Sequence, residues 1–247
     1  MLPEALDVLY REAATVGNAS SLHGAGRRAR KVVEESREKL AAALGAKPQE
    51  IIFTASGTEA NNLAVKGMYW QSRNTNQLKS GICSTPIEHH AILDPLEWLE
   101  REEGATLHLA DVDSDGVVKV DNVAEILSER SAEIAFVTVM HSNNEIGALQ
   151  PISDIAAIAR EYQIPIHSDA VQSFGKVPLN FSELGIDAMT ISGHKIGGPL
   201  GVAQRVGGLE VHARQARHGG QWALAGSGSG LEVGLGQTLH GADLAAA

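Results

Sequence analysis

Residues 188–199 read Ala188-Met189-Thr190-Ile191-Ser192-Gly193-His194-Lys195-Ile196-Gly197-Gly198-Pro199. An apolar run closes on a small residue, and His-Lys and a glycine-rich turn follow it. The run is one of a series. Further strand-like segments are Ile51 to Ala55, Gly81 to Thr85, Thr106 to Ala110, Ile134 to Met140 and Ile164 to Ser168. Several lack clean polar alternation, as strands buried on both faces do. Helical patterns lie between them, over Glu59 to Trp70, Pro95 to Glu102, Asn122 to Ser131 and Ile152 to Tyr162. An earlier helix from about Ala25 to Leu44 carries an apolar stripe of Val32, Val33, Leu40 and Leu44, and a short one spans Glu4 to Ala13. Alternation of this kind predicts an α/β fold: three layers, with helices on both faces of a mainly parallel sheet.

The 247 residues are 43% hydrophobic and 20% charged, which suits a globular chain with a sizeable core and not a disordered or fibrous one. Acidic residues outnumber basic ones 30 to 20. The basic cluster Arg27, Arg28, Arg30 and Lys31 faces Glu34, Glu35 and Glu38 at helical spacings, so it reads as a solvated helix face and not as a nucleic-acid site. The single cysteine, Cys83, excludes an internal disulfide framework and fits a reducing compartment. No apolar run reaches the ~18 residues of a membrane span, and the N-terminus has no basic-then-apolar leader. The expectation is a cytoplasmic, soluble protein with no nucleic-acid or membrane partner.

Composition changes after Val202. Residues 203–247 are rich in Gly and Ala, contain no Ile, Phe, Tyr, Pro or Lys, and include the linker-like Gly226-Ser227-Gly228-Ser229-Gly230. The expected organisation is therefore an α/β domain over 1–202, with a helical arm at 1–17, and a poorly ordered tail over 203–247.

Chemistry-bearing residues gather at strand ends, where α/β sheets bind ligands. Lys195 follows one strand; held against protein, such a lysine can lose its proton and join an aldehyde, pyridoxal 5'-phosphate being the commonest cofactor of that kind. Asp169, in His167-Ser168-Asp169-Ala170-Val171-Gln172-Ser173, could pair with a protonated pyridine nitrogen, and Gln172 could reach the ring's phenolic oxygen. In Thr54-Ala55-Ser56-Gly57-Thr58-Glu59, a strand runs into a helix, and the N–H groups of Gly57 and Thr58 make a ready phosphate site. His89 could stack on an aromatic cofactor, and Asn144 follows the fourth strand. Taken alone, each segment has an ordinary reading: a surface lysine in a turn, a strand-end aspartate, a well-capped helix. His167 with Asp169 could also be a metal pair, but no third ligand follows at useful spacing, so no metal site is expected.

In the order and wording of these motifs the chain resembles the cysteine desulfurases of the class V aminotransferase group, which take sulfur from cysteine for iron–sulfur cluster assembly. The likeness spans roughly Leu2 to Val202, with Asn18-Ala19-Ser20-Ser21-Leu22-His23 near its start. It implies an incomplete large domain of the fold type I transferases that depend on pyridoxal 5'-phosphate. It also implies that Lys195 is the Schiff-base lysine, His89 the ring-stacking residue and Asp169 the pyridine partner. Gln172 and Asn144 would contact the ring oxygen, and Gly57, Thr58, Ser192 and His194 would cradle the phosphate. L-cysteine as substrate, a sulfur-acceptor or scaffold protein as partner, and a homodimer complete the expectation.

The chain also departs from the resemblance. Relatives run to about 380–400 residues and carry a nucleophilic cysteine on a mobile loop of a second domain, for which Cys83, in an apolar strand, is no match. A truncation or reading-frame change near Val202, and a chain inactive by itself, are therefore expected. A selenocysteine lyase, another class V enzyme or a non-catalytic remnant are the alternatives.

Overall fold

The computed structural model describes residues 1–207. It contains helices α1 (Pro3–Ala13), α2 (Gly24–Leu44), α3 (Gly57–Thr75), α4 (His90–Glu103), α5 (Val120–Arg130), α6 (Ile152–Glu161) and α7 (Phe181–Leu184). Strands are β1 (Ile51–Thr54), β2 (Gly81–Ser84), β3 (Thr106–Leu109), β4 (Ile134–Thr138), β5 (Ile166–Asp169), β6 (Ala188–Ser192) and β7 (Ala203–Val206). They form one sheet in the order β1-β7-β6-β5-β4-β2-β3. From β6 to β3 every neighbouring pair is parallel; β7 runs antiparallel to both β6 and β1.

Successive strand residues point to opposite faces, and here both faces are apolar. Ile82, Phe136 and Ala188 pack into a core with Val65 and Met68 of α3 and with Ile92, Leu96 and Leu99 of α4. Their sequence neighbours Cys83, Val137 and Met189 face the other side, against Leu44 of α2, Leu127 of α5 and Ile155 of α6. The missing polar alternation thus reflects two cores, one on each side of the sheet. The mainly parallel three-layer α/β architecture is the one expected.

Most element ends shift by a few residues from the sequence reading, and three of the differences have a clear physical cause. The fifth strand begins at Ile166 rather than Ile164, because Pro165 has no N–H to donate to a ladder. Helix α4 begins at His90 rather than Pro95: the His89 ring caps it, accepting the Ala91 N–H at 3.0 Å, and Pro95 lies inside it.

The third difference corrects the domain boundary. Ala203–Val206, expected to open a tail, is β7, inserted between β1 and β6. Val206 pairs with Ile51 on one side and Met189 on the other. All four residues are buried, Gln204 and Arg205 included. A strand bonded on both edges gains its stability from its neighbours, so Ala-Gln-Arg-Val forms one despite modest intrinsic preference. Residues 208–247 of the expected tail lie outside the described residues.

The N-terminal arm is α1, none of whose residues is buried, and the Leu2 N–H donates to the Gly197 carbonyl at 2.7 Å, beside the turn that carries Lys195.

The central place of β7 gives a test. Val206→Asp puts an unpaired charge between β1 and β6 and is expected to destabilise the chain by at least about 3 kcal/mol, whereas Val202→Asp, at a partly exposed site, costs under about 1 kcal/mol. Urea unfolding of the two variants measures the difference.

Candidate active site

Because β1 and β6 run in the sense of the parallel strands, the carboxyl ends of β1, β2, β4, β5 and β6 open on the same edge of the sheet. A cavity of about 320 Å³ lies there, within the ~300–1,000 Å³ typical of small-molecule sites. Gly57, Thr58, His89, Asn144, Asp169, Gln172, Ser192, His194 and Lys195 all line it. The structure brings together every site residue expected from sequence.

Each is held by local chemistry. Ser56 caps α3: its Oγ accepts the Glu59 N–H at 3.0 Å, and the Glu59 carboxylate accepts the N–H of Ala55, the residue before the cap, at 2.7 Å. The Ser56 carbonyl takes the Ala60 N–H. That leaves the Gly57 and Thr58 amides as the first-turn donors on the cavity, at the positive end of a 19-residue helix. A Cβ at Gly57 would stand 3.5 Å from Val171 and 3.6 Å from Ser192, both cavity-lining, so the glycine keeps this space open. On the same side the Ser192 hydroxyl and His194 Nδ1 are 2.8 Å apart.

Lys195 sits in a single 3₁₀ turn, Gly193–Ile196, directly after β6. Gly197 closes that turn at φ +82°, in the left-handed region, and the Gly198 N–H returns to the Gly193 carbonyl at 2.8 Å. The side chain of Lys195 is exposed on the cavity. His89 lines the same cavity; because its Nδ1 accepts the Ala91 N–H, the neutral ring carries its proton on Nε2.

Asp169 ends β5 and is buried. Its Oδ1 accepts the Val171 N–H at 2.9 Å and its Oδ2 accepts the Asn61 side-chain amide at 2.7 Å. Burial pushes its pKa above the ordinary carboxylate value, while the two N–H donors and nearby His89 pull it down. Gln172 Oε1 accepts from Lys176 Nζ at 3.0 Å. The loop carrying Asn144 is pinned by buried Asn143, whose Oδ1 accepts the Glu145 and Ile146 N–H groups and whose Nδ2 donates to the Ile87 carbonyl, next to the His89 turn.

Sequence reasoning passed over Asn61, although it lies four residues after Gly57 on α3 and so shares its face; that spacing was the available signal. The metal alternative for His167 with Asp169 fails on geometry. Both imidazole nitrogens are taken inside the sheet, Nδ1 by the Thr138 hydroxyl at 3.0 Å and Nε2 by the Thr190 hydroxyl at 3.1 Å. Cys83 packs in the core with Val137 rather than on the cavity, fully buried, and burial pushes its thiol up to about 12.

The Asn61–Asp169 contact sets a pH-dependent expectation. Asn61→Ala removes a donor to the ionised carboxylate, raising further a native pKa already above the unfolded one. A raised acid pKa means that the native state holds a proton the unfolded chain releases, so stability falls as pH rises through that window. The substitution should therefore cost more at pH 7 than at pH 5, by about 1–3 kcal/mol at the former, as read from urea melts at the two pH values.

The sequence profile of the family described as aminotransferase class-V matches residues 2–221, past the Val202 at which the sequence likeness was drawn to a close. An IscS-like cysteine desulfurase of Mycobacterium tuberculosis is 44% identical over 220 residues, covering 89% of this chain and 56% of the relative. A cysteine desulfurase IscS of Dictyoglomus turgidum is 44% identical over 186 residues, covering 75% of this chain and 45% of the relative. Among solved structures, one described as SspA in complex with cysteine superposes with a TM-score of 0.77 at 32% identity, over 83% of this chain and 58% of the other. The chain thus spans about half the length of these relatives. With the profile running through every strand of the sheet and every residue of the cavity, the chain belongs to the aminotransferase class-V family.

Proposed function

We propose that this chain carries the cofactor-binding part of a pyridoxal 5'-phosphate-dependent cysteine desulfurase, an enzyme that converts L-cysteine to L-alanine and leaves the sulfur as a protein-bound persulfide. The observation that carries the reading is the cavity itself. One lysine amine, one buried carboxylate and a helix N-terminus with two free amides line a single space, each suited to a different part of that cofactor.

The residues fit the group. The Gly57 and Thr58 amides, with Ser192 and His194, would hold a phosphate. Asp169, with both oxygens already fixed by N–H donors, would hold a proton at the pyridine nitrogen. His89 would lie against the ring, and Gln172 and Asn144 would orient its oxygen. Lys195 would hold the aldehyde carbon and, once displaced by a substrate amine, stand free to move a proton at the substrate's Cα. When bound, the cofactor supplies an aldehyde for amine capture and an electron sink for charge left at Cα.

Cys83 is not the sulfur acceptor in this reading. A persulfide needs an exposed thiolate, and this thiol is buried in a core with its pKa raised. It is the single cysteine of the 247 residues, so the accepting thiolate comes from elsewhere. A scaffold protein for iron–sulfur assembly as sulfur acceptor, an isologous homodimer and a cytoplasmic location belong to the same proposal. The relatives' printed names, IscS and cysteine desulfurase, support it over a selenocysteine lyase.

Two outcomes test it. Protein mixed with pyridoxal 5'-phosphate should gain a visible absorbance band, and borohydride should fix the cofactor's mass on the Lys195 peptide; Lys195→Ala should show neither. A wild type that stays colourless refutes the cofactor reading. Asp169→Asn should bind the cofactor but lose most exchange of the substrate's Cα proton, each unit of lost pyridine basicity being about 1.4 kcal/mol. Separately, Cys83 should resist a thiol-specific reagent at about pH 8 in the native protein and react once urea unfolds it; rapid native labelling would return Cys83 as a candidate nucleophile.

A further inference from the structure

A second acid lies beside Asp169. Glu88 immediately precedes the His89 cap of α4 and is 6% exposed. One of its oxygens, Oε1, takes two hydrogen bonds: from the Met140 N–H at 2.7 Å, just past the end of β4, and from the Thr85 hydroxyl at 3.0 Å on its own turn. The other, Oε2, is buried and has no hydrogen-bond partner among the described residues. Asp169 contrasts with it, since each Asp169 oxygen has an N–H donor.

The surroundings of Glu88 are electrically one-sided. Asp169, from β5, is the charged group that acts on it; His89, on the adjoining turn, acts on Asp169. His141, next in sequence to Met140, has a ring that burial holds toward the neutral form. An ionised carboxylate spreads its charge over both oxygens. Glu88 in that form would leave half a charge unsolvated at Oε2, beside a second carboxylate. A carboxylic acid places its proton there instead.

We propose that Glu88 is carried as a neutral carboxylic acid and is a positioning residue, fastening the His89 turn to the end of β4 and leaving Asp169 as the one negative charge on that side of the cavity. Electrostatics agree with the geometry: burial pushes Glu88 up to about 8, and the Asp169 charge adds to that, against the pull of the Met140 N–H and the Thr85 hydroxyl. Asn143, donating to the Ile87 carbonyl, is a second tie between the same two loops, so the loops bearing His89 and Asn144 are joined by two hydrogen bonds.

The charge state rests on the fold alone; its consequence for the cofactor rests on the function proposed above, and the two are tested apart. Without cofactor, the melting temperatures of wild type and Glu88→Gln are followed from about pH 5 to about pH 9. A native Glu88 proton that the unfolded chain gives up makes wild-type stability fall across this range, and glutamine removes that loss. The variant's advantage should therefore grow from about pH 5 to about pH 8 and then level off. A difference that does not change with pH overturns the proposal. Should Glu88→Gln fail to fold, Thr85→Val serves: losing a donor to the ionised form, it should carry the wild-type decline to higher pH, and an unmoved decline overturns the proposal. With pyridoxal 5'-phosphate added, Glu88→Ala should bind about tenfold more weakly and Glu88→Gln should recover most of that affinity. Equal losses in both variants overturn the positioning role. If even the wild type takes up no cofactor, the proposed function fails while the pH-dependent melts still decide the charge state.

Discussion

The constraint on which the rest of this structure depends is that its central strands are covered on both faces. Ile82, Phe136 and Ala188 are committed to one core and Cys83, Val137 and Met189 to the other, leaving little room for polar chemistry in the body of the sheet. Among the exceptions is His167, held between the Thr138 and Thr190 hydroxyls. A polar group that must remain reactive is therefore displaced to where the strands stop. Six strands of one sense stop on one edge, and residues at or just past the ends of five of them line the cavity.

At that edge, burial does not end abruptly. Asp169 is the last residue of β5 and still dry, which raises the cost of its charge, and two N–H donors offset that cost. Glu88, one loop away, has its donors on one oxygen only. Two neighbouring carboxyl groups thus meet different fates, and the number and direction of their donors decide which keeps its charge. The helix N-terminus at Gly57 works in the opposite sense, offering positive partial charge to the same cavity.

Much of this is legible in the chain. The segment from Thr54 to Glu59 reads as a well-capped helix start, and in the structure the Ser56 hydroxyl caps α3 while Glu59 ties down the residue before it. His-Lys-Ile-Gly-Gly after an apolar run places Lys195 in a tight turn, and the left-handed Gly197 and crowded Gly198 show why the glycines are there. Asn61 was legible only as a spacing, because its role is a bond to a residue 108 positions away. Glu88 was not legible as an acid of altered charge, since nothing in Pro-Ile-Glu-His-His says which oxygen will find a donor.

Local pattern by itself determined the alternation of strand and helix, the caps, the turn that holds Lys195 and the set of residues that share a strand end. These follow from period, backbone freedom and side-chain hydrogen bonding over a few positions, and neighbours in sequence suffice to fix them. Tertiary structure alone decided that Ala203–Val206 is a strand, that it runs against its neighbours, and that Asp169 and Glu88 carry different charge. Ladder bonds come from strands distant in sequence, and a buried carboxyl's proton answers to every donor and charge around it, most of which belong to other elements.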